Sequence, residues 1–422
     1  MKTRAVRLHG KSDLRVDEFE LPEMKDDEIL ARVVSDSICM STYKAAIQGE
    51  DHKRVPADVS EHPTIMGHEF CGEIIRIGSK WADRYKLGQK FSVQTALNYK
   101  GSLAAPGYSY RYIGGDSTYV VIPNEVMELD CLLEYDGDAF FCGSLAEPYS
   151  CVAGTFHAMY HTAAGSYSHE MGIREGGVMG IIAGVGPMGL AAIDYIIHCD
   201  RRPGTLVVTD IAQDRLDRAS ALLSAEEAER MGVRLTYLNT AGVDARAAML
   251  EASGGKMYDD VLVFAPVPAL VELADSLLGR DGCLNFFSGP SDPTFSAKFN
   301  FYNVHYAGTH IVGTSGGNKD DMRESLRMMS EGRLNPAVLV THIGGLNCVP
   351  ETTLNLPHIP GGKKLIYTHI DLPLTAIADF EKLGGTDPLF ARLDEICKAH
   401  GGLWCVEAER ILLEEKAGGQ SA

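Results

Sequence analysis

Paired cysteines are missing from this chain. Its ten cysteines are scattered, and no C-x-x-C spacing occurs anywhere. That leaves no clustered-thiol site for a structural zinc, and the cysteines read as buried thiols rather than disulfides. Positive charge is also short, with 39 Lys and Arg against 57 Asp and Glu and a formal net charge of −18. The imbalance excludes nucleic acid and anionic membrane as general partners. It also means that an anionic substrate would need a local basic pocket against the global field. Long apolar runs are absent, none nearing the ~18 residues of a membrane helix. The opening "MKTRAVRLHGKSDLRVDEF" lacks the apolar core of a signal peptide, so a soluble cytoplasmic protein is expected. Internal repeats and low-complexity segments are absent as well.

The 422 residues are enough for two domains. Up to about residue 150, short β-like runs such as "EILARVVSD", "CGEIIRIGS" and "STYVVIP" are separated by Gly, Pro and Asp turn signals. A mostly β, barrel-like module is expected there. From near Ala153 the texture changes, and strand-like runs alternate with helical patterns, as in "VMGIIAG" before "PMGLAAIDYIIHC". Such alternation predicts an α/β doubly wound parallel sheet. The expected division is residues 1–155 with 316–422 as one domain and 156–315 as the other. The tail "PLFARLDEICKAHGGLWCVEAERILLEEK" reads as helical segments.

"IIAGVGPMG" holds Gly184, Gly186 and Gly189 in G-x-G-x-x-G spacing, after a buried-type strand and before an apolar helix. Glycines so placed permit a tight turn and close approach of backbone to a pyrophosphate, which then rests on the helix N-terminus. The next strand ends in "VVTD". Its Asp210 stands where an acidic side chain bonds the adenosine ribose hydroxyls. A carboxylate there repels a 2′-phosphate, which favours NAD(H) and makes NADP(H) the lesser expectation. Arg215, one helical turn on, weakens that exclusion.

Four metal-competent side chains fall in the β-rich part: Cys39 in "SICMSTYK", His68 and Glu69 in "GHEFCG", and Glu147 in "LAEPYS". Thiolate, imidazole and carboxylate together suit a zinc ion with one open position. Taken singly, each residue has a plainer reading, as a buried thiol, a turn histidine or a helix-start carboxylate. Ser41, two residues after Cys39, reads by itself as a turn hydroxyl capping a helix.

The order of these features, from Cys39–Ser41 through "MGHEFCGEIIRIGSKW" and "LAEP" to the glycine turn, resembles the zinc-dependent medium-chain dehydrogenase/reductase superfamily. The resemblance covers almost the whole chain and implies a GroES-like catalytic domain beside a Rossmann cofactor domain. A glutamate in "LAEP" matches the polyol dehydrogenase branch. "SDSICMSTYKAAIQG", "ALNYKGSLAAPGYSYRYIGGD" and "FNFYNVHYAGTHIVGTSGGN" are similar to the L-sorbose 1-phosphate reductase family, which interconverts L-sorbose 1-phosphate and D-glucitol 6-phosphate.

This resemblance implies one catalytic zinc on Cys39, His68 and Glu69 or Glu147. The cofactor contacts it implies are Gly184, Gly186, Pro187, Met188, Gly189, Asp210, Ile211, Arg215, Ala265 and Ser288. It also implies a sugar or polyol phosphate as substrate and a homodimer or homotetramer. Ser41, Lys44 and Glu69 are the expected catalytic residues. Lys100, Arg111 and Lys363 are the leading phosphate candidates, with Lys53, Arg54 and Lys364 behind them. Three departures stand out. The lobe that often binds a structural zinc has no cysteine. Thr42 replaces the usual Asp, removing an expected partner of the zinc histidine. Lys44 stands near the place of the usual relay histidine. The rival expectations are a dehydrogenase of unphosphorylated polyols or another small secondary alcohol, and a non-catalytic nucleotide- and metal-binding sensor.

Overall fold

The computed structural model describes residues 1–163 and 165–417. Two units divide it, Met1–Glu147 with Leu326–Ala422, and Pro148–Ser325.

At the centre of the first unit runs the strand Ile29–Ile38, buried along nearly its whole length. It pairs antiparallel with Phe70–Ile77 on one side and, on its other side, with Tyr119–Ile122 along its first half and Lys363–Tyr367 along its second. Lys90–Val93, Leu132–Glu134, Val340–Gly345 and Thr375–Ala376 complete an eight-stranded sheet. A smaller sheet joins Leu14–Glu20, Lys2–Leu8 and Thr64–Ile65. A strand buried on both faces reads as a near-continuous apolar run, yet this one carries buried Ser35, Asp36 and Ser37 near its end. Those polar side chains mark where the sheet meets the site. Cys71, one residue into Phe70–Ile77, is a buried thiol, and all ten cysteines are free. The tail forms the helices Pro388–Ala399 and Val406–Ala417, and Leu393, Leu412 and the intervening Trp404 are buried in one core with Phe380 and Tyr367.

In the second unit six parallel strands follow the order Arg234–Asn239, Thr205–Asp210, Val178–Ile182, Tyr258–Val263, Leu278–Phe286, His310–Gly313. By chain position this is 3-2-1-4-5-6, the doubly wound dinucleotide-binding arrangement, with its switch point beside Val178–Ile182. The edge strand His310–Gly313 pairs on one side only among the described residues. The helix before it exposes Phe301, Tyr302 and Tyr306.

Candidate active site

The central strand ends at Ile38, and Cys39 then serves as the extended N-cap of the helix Met40–Gln48. Ser41 and Thr42 therefore sit in the first helical turn, close to the sheet end. Across the sheet, Asp36 pairs with Phe70, which brings His68 and Glu69 alongside Cys39. Gly67 makes this approach possible. Its φ is +87°, and an added Cβ would run into the Asp36 carboxyl and the Asp116 backbone. On the other side, Lys364 pairs with Ile38, so Lys363 reaches the same end of the sheet.

The Cys39 thiol, a His68 ring nitrogen and a Glu69 carboxylate oxygen all lie within 4.8 Å of one another. Thr42 Oγ1 is 3.1 Å from His68 Nδ1, which leaves Nε2 toward the cysteine side. Ser41 Oγ is 3.1 Å from that Nε2 and 3.1 Å from Cys39 Sγ. Tyr108 donates its hydroxyl to Ser41 Oγ at 2.9 Å and stands 3.2 Å from the same Nε2. Burial holds the imidazole below its ordinary pKa, opposed by Glu147 and Glu69, so it stays neutral and keeps a lone pair to give.

Glu69 is almost wholly buried, and Lys363 Nζ lies 2.5 Å from both of its oxygens. Ser37 donates to it as well. Burial by itself would raise this carboxyl. The charge of Lys363, the neighbouring His68 and the hydrogen bonds from Lys363 and Ser37 outweigh burial, and the group ends below its ordinary value. Beneath it, the Glu69 backbone N–H donates to Asp36 Oδ1 at 3.0 Å. Among the described residues Asp36 Oδ2 and Asp116 Oδ1 are buried without a hydrogen-bond partner, and the two carboxyls act on one another. Burial and mutual charge push Asp36 up, and burial raises Asp116 to about 6.

Glu147 sits on the helix Phe140–Ala158, outside the 4.8 Å set. Burial raises it to about 7, with His68 pulling down and Glu69 and Cys39 pushing up. Its carboxyl therefore belongs to the same electrostatic cluster. The donors fit a zinc ion: neutral imidazole, a thiol that metal binding deprotonates, and two carboxyls with a single lysine to neutralise them.

A second group of metal-type side chains, His161, Asp281 and His310, differs in kind. His161 Nε2 bonds Asp260 at 3.0 Å and its Nδ1 faces the Asp281 carbonyl at 3.0 Å. His310 meets the carbonyls of Gly308 and Tyr160 at 2.9 and 2.6 Å. With all four nitrogens engaged, the group staples the hairpin Tyr160–Thr162/His169–Met171 to the parallel sheet.

In the second unit the glycine turn has the expected build. An added Cβ on Gly189 would run into the Gly184 carbonyl, so helix and strand pack directly. Gly186 is the N-cap of the helix Pro187–His198, whose first turn holds Pro187 and Met188. Arg215 lies over this turn, 3.3 Å from where a Gly186 Cβ would be. Asp210 is buried and accepts from the N–H groups of Ile211 and Ala212 at 2.8 and 3.1 Å. Ile211 is 71% exposed, available as an apolar platform beside it. Ala265 and Ser288 follow the ends of Tyr258–Val263 and Leu278–Phe286, on the side where such sheets bind cofactors.

A family model described as zinc-binding dehydrogenase matches residues 187–331. One described as alcohol dehydrogenase GroES-like domain matches residues 25–130. The L-sorbose 1-phosphate reductase of Klebsiella pneumoniae is 51% identical, over 97% of this chain and 97% of its own. The mannitol-1-phosphate 5-dehydrogenase of Aliivibrio fischeri is 48% identical over 98% of each chain. The chain belongs to the zinc-dependent medium-chain dehydrogenases. In fold alone, it is similar to the 2R,3R-butanediol dehydrogenase of Bacillus subtilis. The TM-score is 0.68 at 20% identity, with 86% of this chain and 99% of that one covered.

Two expectations about this dehydrogenase's site need correction. Lys363 is not a surface cation awaiting a phosphate, because its side chain is 6% exposed and its ammonium is ion-paired to Glu69. Its neighbour Lys364 is also consumed, donating to the carbonyls of Ile359, Pro360 and Gly362. Nor does Thr42 leave the histidine without a partner, since its hydroxyl holds Nδ1. Of the other candidates, Arg111 pairs with Asp58 at 3.4 Å. Lys100 is exposed, 4.7 Å from the Tyr99 ring centroid. Lys44 is half-buried on the helix of Ser41, and its charge reaches His52. Tyr108 was not singled out in the sequence. Its only signal was membership of a tyrosine-rich, cysteine-free lobe.

Proposed function

We propose that this dehydrogenase transfers hydride between NAD(H) and a small sugar or polyol phosphate, interconverting L-sorbose 1-phosphate and D-glucitol 6-phosphate. The observation that carries the reading is half-identity, along essentially the full length, to a relative named for a ketose phosphate. The mannitol-1-phosphate relative supports a second reading, in which a different hexitol phosphate is the substrate. Both readings share an anionic six-carbon ligand. The carboxylate of Asp210, at the end of the second strand, supports NAD(H) over NADP(H).

Cys39, His68 and a carboxylate from Glu69 or Glu147 would hold the zinc ion, which when bound supplies Lewis-acid polarisation of the reacting oxygen. The remaining work falls to the protein. Ser41 exchanges a proton with that oxygen, a role supported by the position of its hydroxyl among Cys39, His68 and Tyr108. Tyr108 is the next link. Burial pushes its phenol well above the ordinary value, so it serves as a neutral O–H donor that keeps the Ser41 oxygen oriented. Lys363 and Ser37 fix Glu69, while Thr42 fixes the histidine ring.

The substrate claim is tested by following the reduced nicotinamide with sorbitol, sorbitol 6-phosphate, mannitol and mannitol 1-phosphate. At least one ester should exceed its parent polyol by about 100-fold or more in kcat/KM. Equal values for ester and parent would end the sugar-phosphate reading. Tyr108→Phe should lower kcat by about 10- to 100-fold with little change in KM. An unchanged kcat would remove Tyr108 from the proton route.

A further inference from the structure

We propose that Arg54 is the residue that recognises the substrate's phosphate, an assignment that rests on the sugar-phosphate reading above. In a chain this acidic, most arginines and lysines near acids are paired with them, and so are Lys363 with Glu69 and Arg111 with Asp58. Arg54 is not. Among the described residues no carboxylate pairs with its guanidinium, which lies instead over the Tyr108 ring, 5.4 Å from the centroid.

Its position is built rather than incidental. The Arg54 carbonyl accepts from Ser109 Oγ at 2.5 Å, and its N–H donates to His52 Nδ1 at 3.3 Å. Val55 and Val59 bury themselves just beyond, anchoring the loop in the same core as Tyr108 and Met66. The His52 ring stacks on Tyr108 as well, with centroids 6.0 Å apart. One tyrosine thus connects two functions. Its hydroxyl touches Ser41 and His68, where the reacting oxygen belongs, and its ring carries the cation. A ligand reduced or oxidised beside Ser41 has its neighbouring carbons close to Arg54.

The local charge agrees with this assignment. Burial and the charges of Arg54, Lys53 and Lys44 together hold His52 below its ordinary pKa, and the Arg54 charge is felt at His68. This is the local basic pocket that an anionic substrate needs in a protein of net charge −18. A guanidinium resting on a ring face keeps its edge N–H groups for a bidentate bond to phosphate oxygens.

The test is the ratio of kcat/KM for the preferred ester to kcat/KM for its parent polyol. It is measured in the zinc-loaded wild type and in Arg54→Ala, Arg54→Gln, Arg54→Lys and Arg111→Ala. The ratio should fall by about 30-fold or more in the Ala and Gln variants and recover in part in the Lys variant. Arg111→Ala should retain the wild-type ratio. Inorganic phosphate should compete with the ester in the wild type and at least about 10-fold more weakly in Arg54→Ala. Equal zinc content and melting temperature across the set separate recognition from folding. A wild type with strong ester preference that survives in both Arg54→Ala and Arg54→Gln overturns the assignment and leaves the sugar-phosphate reading standing. A wild type without ester preference overturns both.

Discussion

Replacing Lys363 with methionine should lower the folding stability of the metal-free protein by about 3–5 kcal/mol, seen as a reduced urea midpoint. The ammonium and the Glu69 carboxylate are each almost completely buried and lie 2.5 Å apart. Methionine fills most of the space, but it leaves a carboxylate in low dielectric beside the Asp36–Asp116 pair. Adding Glu69→Gln to Lys363→Met should recover most of the loss, because the stranded charge rather than the missing lysine carries the cost. The pH dependence has a definite sign. The Glu69 carboxyl is depressed in the folded protein, so its contribution is present above the ordinary carboxyl range and lost as pH falls through the lowered value. The gap between wild type and Lys363→Met should therefore narrow on acidification, as the stranded carboxyl takes up a proton. A variant of normal stability that only raised KM for a phosphate ester would return Lys363 to the substrate and refute the ion pair.

The contrast between Lys363 and the glycine turn shows what sequence can reveal. Gly184, Gly186, Gly189 and Asp210 are legible because their chemistry is local. The tight turn, the helix start and the strand-end carboxylate fall within one strand–helix–strand unit, and the spacing encodes the geometry. Cys39, His68 and Glu69 are legible for a related reason. Two neighbouring strands of one sheet end together, and Gly67 between Met66 and His68 marks the close approach. Lys363 and Glu69 are 294 residues apart, and nothing near "PGGKKLIY" distinguishes a lysine that will be buried from one that will be solvated. The register of Lys363–Tyr367 against the central strand decides it, and register across so long a separation leaves no local periodicity. Arg54 is legible as one basic candidate among several, and what sets it apart from them is not local. Its distinction is the lack of an acidic partner among the described residues, which shows only once the neighbours are in place.

The tail is legible as helices but not in what it packs against, and Glu409 on its last helix gives the second large effect. Glu409→Ala should cost about 3–5 kcal/mol, because three donors lose their acceptor in the core. Its carboxyl takes the N–H groups of Phe140 and Phe141 at 2.6 and 2.9 Å and the Tyr367 hydroxyl at 2.8 Å. Phe140 opens the helix that carries Glu147, and Tyr367 closes the strand that carries Lys363. One buried side chain therefore pins both elements that bring charge to the site, and the same variant should also weaken zinc retention. Burial, offset by the bonds from Tyr367, Phe141 and Phe140, raises the Glu409 carboxyl from 4.5 to about 7. A raised carboxyl contributes stability that is full below about 4.5 and lost as pH climbs through about 7, up to about 3 kcal/mol in all. Glutamine keeps an acceptor but cannot ionise. Glu409→Gln should thus be clearly less stable than wild type near pH 5, and the gap should shrink toward pH 8, as wild type alone comes to bury a charge. Urea titrations at the two pH values measure the difference. A gap that stays constant between them would mean that Glu409 does not change its protonation in this range, and the helix start would then be held by a permanently charged cap.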